Sequence, residues 1–240
     1  GLNNVKTADT MTVSNNVEYQ CDINKVAVDS LFDEEDESKY RYNKDVVVSE
    51  SDDDRYIQTL SFDELETIRT TDLESEAFKN ARKWLLIGCE IGQRGGDLLN
   101  ITPDNIRYKG GNMYLDIIQQ KTKKAVTIGI IAPHIIDIIE NGFPYKISTQ
   151  KLNTYIKKVC EEAKINTPTE GKIFDAISGR KEFGIYPKHE LITTHSFRRS
   201  FCTNYYKKMP TPVLMGISGH SKESIFRVYI NAPEDTDENA

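Results

Sequence analysis

Between Leu60 and Ile230 apolar side chains recur with helical or strand periods, whereas residues 1–57 follow neither. Ser61, with Glu64 three positions on, marks a helix start, because each side chain can reach the other's free backbone N–H. In "ESEAFKNARKWLLIGCEIG" Phe78, Ala81 and Leu85 share one helical face. After a turn at "TPDNI", the β-like runs "NMYLDIIQQ" and "AVTIGI" are joined by "KTKK" and preceded by "RYKGG", which predicts a small antiparallel sheet. "APHIIDIIENG" reads as a short helix closed by Gly142. Leu152, Tyr155, Ile156, Val159, Cys160 and Ala163 trace the apolar stripe of an amphipathic helix. Residues 167–192 are expected to be irregular, since Pro or Gly stands at 168, 171, 179, 184 and 187. Helices over 194–208, 211–217 and 221–230 complete a mostly helical α+β domain with one small antiparallel sheet.

Charge divides the chain into the same parts. The net charge of -6 argues at first against a polyanionic partner. Residues 1–60 carry 6 basic and 14 acidic side chains, including "DEEDE" and "SESDDD", and 231–240 carry four acids and no base. The remaining 61–230 hold 25 basic and 19 acidic residues, so the central part is positive and compatible with nucleic acid. The predicted organisation is therefore an acidic lead-in or linker over 1–57, a globular domain over 58–230 and an acidic tail over 231–240. An acidic segment of low hydrophobicity cannot bury enough surface to fold by itself, although "YNKDVVVSE" could supply one short strand. No apolar run approaches the roughly 18–20 residues that span a bilayer. Cys21, Cys89, Cys160 and Cys202 are scattered, which favours reduced thiols in a cytoplasmic protein over a disulfide framework or a zinc site. The opening "GLNNVKT" lacks an initiator Met, so the sequence is expected to be a piece of a longer protein.

The candidate chemistry is concentrated near the carboxyl end, in "THSFRRSFCTNYYKKMPTPVLMGISGHSKESIFRVYI". His195 and Arg198, three apart, project from one side of a helix and could grip an anion between imidazole and guanidinium. His220 follows a glycine, and Tyr229 lies nine residues beyond it. Upstream, "IGQRGGDLLNI" sets Arg94 among glycines that allow close backbone approach, with Asp97 placed to hold the guanidinium. Lys121 stands at the mouth of the expected hairpin, with Lys123 and Lys124 on the same turn. Each alone has an ordinary reading: a surface arginine, a capping histidine, a core tyrosine, a solvated lysine.

In order and spacing these elements resemble the tyrosine recombinases, the integrases of phages and conjugative elements. "GQRGGDL" is similar to the family's first arginine motif, "HSFRR" to its His-x-x-Arg box and "SGHS" to its Gly-His element, and Tyr229 stands at the spacing of its nucleophile. The likeness covers about 60–230; Phe197 replaces a frequent leucine, and the amino-terminal DNA-clamping domain of the family is not visible. The resemblance implies a metal- and ATP-independent enzyme that breaks and rejoins DNA through a 3′-phosphotyrosine, with no cofactor. Arg94, Lys121, His195, Arg198, His220 and Tyr229 would be catalytic, Asp97 supporting, and Arg199, Lys123 and Lys124 in contact with DNA. It also implies double-stranded attachment-site DNA as partner, a homo-tetramer assembled on it, no membrane, and a bacterial cytoplasmic, nucleoid-associated location. A type IB topoisomerase-like nicking-closing enzyme and a non-catalytic DNA-binding or directionality module are the alternatives.

Overall fold

A computed structural model of the chain describes residues 56–230; the expected lead-in, apart from its last two residues, the strand within it and the acidic tail lie outside the described residues. Helix α1 (Phe62–Thr70) starts at the expected capping box: Glu64 N–H donates to Ser61 Oγ, and Ser61 N–H to the Glu64 carboxylate. Glu64 also pairs with Lys188 at 2.6 Å, tying this first helix to a segment far along the chain. Helix α2 (Glu76–Ile91) is the centre of the domain, with Ala81, Trp84, Leu85, Ile87 and Ile91 buried. Its Asn80 side chain accepts from Tyr145 N–H and donates to Tyr145 C=O, and the Trp84 indole donates to that same carbonyl. A polar pair of this kind lets an otherwise apolar helix fix one neighbouring loop in register.

Helix α2 ends at Gly92, whose φ of +63° turns the chain back. A side chain there would meet the Phe201 ring at 2.2 Å, so the position excludes a Cβ on both backbone and packing grounds. A single turn, α3 (Gly95–Leu98), leads to the sheet β1 (Ile106–Lys109), β2 (Asn112–Ile118) and β3 (Ala125–Ile130), antiparallel in that order. Met113, Leu115 and Ile117 alternate inward on β2, and Ile128 and Ile130 join them from β3. Helices α4 (Pro133–Gly142) and α5 (Thr149–Glu162) follow; α5 buries Leu152, Ile156, Val159 and Cys160 as its stripe predicts. Gly142 does not cap α4 but is its last residue, with Phe143 as the cap and Lys83 donating to the Gly142 carbonyl at 2.7 Å.

The segment expected to be irregular is instead a second sheet. Strands β4 (Pro168–Asp175) and β5 (Arg180–Pro187) form an antiparallel hairpin, closed by the short helix α6 (Lys188–Leu191). The supposed strand breakers sit where a hairpin tolerates them. Pro168 pairs with Pro187 at the open end, Gly171 faces Gly184, and Gly179 occupies the turn. Three helices close the chain: α7 (Thr194–Tyr205), α8 (Thr211–Ser218) and α9 (Glu223–Tyr229). Helix α7 is three residues shorter than expected, because Lys207 adopts a φ of +64° ahead of Pro210. It packs along α2 and is buried through most of its length, from Ser196 to Cys202. Among the described residues no helix is long and apolar enough to cross a membrane.

Placing a methyl group at Gly92 combines a disfavoured φ with overpacking against a buried ring. Gly92→Ala should lower the midpoint of thermal unfolding by roughly 5–10 °C, measured by calorimetry. A shift within 1 °C of zero, on the order of the error of such a scan, would contradict the packing described.

Candidate active site

Three segments converge beside the carboxyl end of α2. The first is the loop 92–95, carrying Arg94. Gly95 lies against the start of α7, where a Cβ would stand 3.1 Å from both Cβ and Oγ1 of Thr194, so its lack of a side chain lets the Arg94 loop reach the His195 turn. Arg94 is partly buried, and its Nη1 has no hydrogen-bond partner among the described residues. A buried guanidinium N–H without an acceptor is expensive and uncommon.

The second segment is α7. A capping box between Thr193 and Ser196 starts the helix, and Thr194 N–H is held by the Asn153 side chain. Arg198 is only 5% exposed. Its Nη1 donates to the Gly92 carbonyl at 3.2 Å and its Nη2 lies 3.4 Å from His220 Nε2. Burial pulls its pKa down from the usual arginine value, with Arg94 adding to that effect and Tyr229 opposing it. His195, in the first turn of the same helix, is exposed, so the two residues share a helix but not an environment.

The third segment is α8 to α9. Gly219 caps α8 in the left-handed region, and His220 follows in the loop, ahead of the α9 cap at Lys222. Ser218 Oγ donates to the Leu214 carbonyl and lies 2.8 Å from His220 Nδ1. With that hydroxyl proton committed, His220 Nδ1–H donates to Ser218, leaving Nε2 as the acceptor facing Arg198. This tautomer follows from the network. Burial, reinforced by the charges of Arg198 and Arg94, holds the His220 pKa down to about 4. Its ring centroid is 4.8 Å from that of Tyr229.

Tyr229, at the end of α9, faces two guanidinium groups, with Arg198 Cζ 5.9 Å and Arg199 Cζ 5.4 Å from its ring centroid. Burial raises its pKa, and although the two arginines act in the opposite direction, burial outweighs them and the phenol stands at about 12. Arg199, expected on a DNA-facing surface, is 1% exposed and lies over the Tyr229 ring. Tyr205, a neighbouring phenol, points elsewhere: its hydroxyl donates to Glu90 at 2.7 Å, and burial pushes its pKa up.

The lysine hairpin borders these segments. Lys121, Lys123 and Lys124 are exposed on the β2–β3 turn, with Lys123 at a φ of +55°. Asp97 does not pair with Arg94 as expected; its Oδ1 accepts Gln120 N–H at 2.9 Å, which fastens the lysine turn to the arginine loop. A buried glutamine pair, Gln93 and Gln119, joins the same elements, and sequence reasoning missed it. The only signal was a glutamine immediately before Arg94 and another two residues before Lys121, a pattern without meaning until both side chains prove to be buried.

The arrangement groups Arg94, Arg198 and His220 around a buried, unfilled donor, with a neutral phenol beside them. Because the folded-state pKa of His220 lies below its unfolded value, protonation favours the unfolded chain. Its contribution to stability is complete above about pH 6.5 and is lost as pH falls toward about 4. In a two-dimensional NMR titration the His220 ring should therefore stay neutral down to about pH 5. A midpoint near its ordinary value of about 6.5 would contradict the buried network.

Comparison with known proteins gives the family and the fold. The sequence pattern of the Phage integrase family matches residues 58–235. No match is found among curated protein sequences. Among solved structures, XerH site-specific recombinase bound to palindromic difH substrate superposes with a TM-score of 0.51 at 17% identity, covering 73% of this chain and 50% of that one. A lambda integrase dimer bound to a COC′ core site gives 0.50 at 19% identity, over 73% of this chain and 48% of that one. XerA recombinase gives 0.50 at 15% identity, over 73% and 61%. The chain thus spans about half the length of the first of these structures, and at such identities the likeness is one of fold. With the family pattern running through every segment of the site, the chain belongs to the phage integrase family.

Proposed function

We propose that this chain is the catalytic part of a site-specific DNA recombinase that integrates or excises a mobile element by tyrosine-mediated transesterification. The observation that carries the reading is the unfilled Arg94 Nη1, whose charge acts on Arg198 and His220, with Tyr229 against those two residues. A phosphodiester would supply the missing acceptor. Two planar guanidinium forks suit its non-bridging oxygens, and they gain most when charge builds on those oxygens in the five-coordinate transition state.

The chemical step follows from these roles. The Tyr229 oxygen attacks phosphorus, and the bond from phosphorus to the 5′ oxygen breaks, leaving a 3′-phosphotyrosine and a free 5′-hydroxyl. At a pKa of about 12 the phenol carries its proton at neutral pH, so attack requires a base. His195 is that base, or positions the proton's acceptor, when DNA covers its exposed ring. Neutral His220 becomes a donor to phosphate in its other tautomer, with Nε2–H released from Arg198 toward a non-bridging oxygen and Nδ1 accepting from the Ser218 hydroxyl, which turns away from Leu214. Lys121 protonates the leaving 5′ oxygen, with Lys123 and Lys124 along the backbone. The phosphate ester bond is conserved, so a 5′-hydroxyl from a second duplex can reverse the attack without ATP. Exchange between two sites needs four active sites, and a tetramer of the longer protein on double-stranded DNA provides them. The positive charge of 61–230 supports contact with duplex, while the acidic lead-in 1–57 acts as a linker.

On a nicked attachment-site duplex, whose cut end diffuses away, the protein should form a covalent band on a denaturing gel. Tyr229→Phe should abolish that band, and its persistence would remove Tyr229 from the mechanism. Arg94→Lys and Arg198→Lys should each slow adduct formation about 100-fold or more, because a point charge cannot reproduce a bidentate fork. Rates within twofold of the unchanged protein, on the order of assay error, would remove the arginines from phosphate binding.

A further inference from the structure

The lysine turn is closed by its own backbone but tied to the rest of the site by side chains. The β2–β3 ladder ends at the Ile118–Ala125 pair; beyond it Gln119 N–H donates to the Lys124 carbonyl at 2.9 Å and Lys123 N–H to the Gln119 carbonyl at 2.8 Å, closing residues 119–124 on themselves. Two contacts tie this turn to the site: Asp97 Oδ1, which accepts Gln120 N–H, and the side chain of Gln119, 0% exposed, which meets that of Gln93, 1% exposed.

The two amides form a closed hydrogen-bond network. Gln93 Nε2 donates to the carbonyls of Ile91 at 3.0 Å and Ile217 at 2.8 Å. Gln119 Nε2 donates to Gln93 Oε1 at 2.9 Å and to that same Ile217 carbonyl at 3.0 Å. Thr122 Oγ1 completes it by donating to Gln119 Oε1 at 2.7 Å. Each amide N–H has an acceptor and each amide oxygen a donor. Flipping either amide would set its oxygen against the Ile217 carbonyl, so one orientation is strongly favoured. Gly219 leaves room for it, since a Cβ there would fall 2.5 Å from Gln119 Oε1.

The network joins three segments, each next to a candidate catalytic residue. Gln93 immediately precedes Arg94, Gln119 lies two residues before Lys121, and Ile217 lies three residues before His220. We propose that Gln119, through Gln93 and the Ile217 carbonyl, is a positioning residue that sets the Lys121 turn relative to the Arg94 and His220 loops. The apolar alternative of a looser hairpin would leave an exposed lysine sampling many positions, only a few within reach of a leaving oxygen. The inference rests on the role given to Lys121 above, and its test separates the two.

The unchanged protein, Lys121→Ala, Gln119→Leu and the milder Thr122→Val are compared on two nicked attachment-site duplexes, one with oxygen and one with sulfur at the 5′-bridging position. Sulfur leaves without a proton, so it bypasses a misplaced acid. Gln119→Leu should lose about 100-fold in adduct rate on oxygen, the scale of a lost general acid, and recover to within about fivefold on sulfur. Thr122→Val should show a smaller loss with the same recovery. If Lys121→Ala recovers on sulfur but the two network variants are equally slow on both duplexes, or unimpaired on oxygen, the positioning role is overturned. If Lys121→Ala itself does not recover, the lysine assignment fails instead, and hydrogen exchange then decides the network. In Thr122→Val the amides of Gln120 and Lys123 should exchange about tenfold faster while those of Leu115 and Ile128 do not change. Unchanged exchange at Gln120 and Lys123 would overturn the proposal whatever the kinetics show.

Discussion

A guanidinium buried in the middle of a helix is the constraint around which this domain is arranged. Arg198 lies between Phe197 and Phe201, both buried, and is itself 5% exposed. Withdrawing such a charge from water costs several kcal/mol unless hydrogen bonds replace the lost hydration. The replacements come from two distant segments, the Gly92 carbonyl and the His220 ring. Folding therefore cannot satisfy Arg198 without bringing the Arg94 loop and the His220 loop together, and the left-handed turn at Gly92 aims its carbonyl at that partner.

The same constraint shapes the electrostatics. Burial, reinforced by the charges of Arg198 and Arg94, keeps the His220 imidazole neutral, and burial with the charge of Arg94 lowers the Arg198 pKa. Like charges in a partly buried site repel, and a bound anion would relieve the repulsion while pairing Arg94 Nη1. Tyr229 sits among them in its neutral form, since burial dominates over the favourable charges of Arg198 and Arg199. Arg199 acts there as a packing partner of the phenol ring and not as a surface cation.

Polar networks hold the remaining parts. Asp97 reaches the lysine turn from outside it by accepting Gln120 N–H, and Gln119 reaches out of that turn to the Ile217 carbonyl through its amide. Glu64 and Lys188, largely shielded, link the first helix to the segment after the second hairpin. In each case residues far apart in the chain are fixed by one or two directional bonds, which specify position better than apolar contact does.

How much of this was legible depended on the range of the interaction. The capping box at Ser61, the stripe of α5 and the alternation in β2 and β3 are local periodicities, and a linear sequence displays them directly. The basic residues, His220 and Tyr229 stand out along the chain as a spaced set, and the family match spans all of them. The hairpin of β4 and β5 was not, since its glycines and prolines read as breakers until cross-strand pairing places them opposite one another. Nor could spacing say that Asp97 turns to Gln120 instead of Arg94, that Arg199 is buried, or that Gln93 meets Gln119. The sequence alone determined which residues were available and which local elements they form. Only the tertiary structure decided their partners and burial, because those depend on contacts between segments whose separation along the chain says nothing of their distance in space.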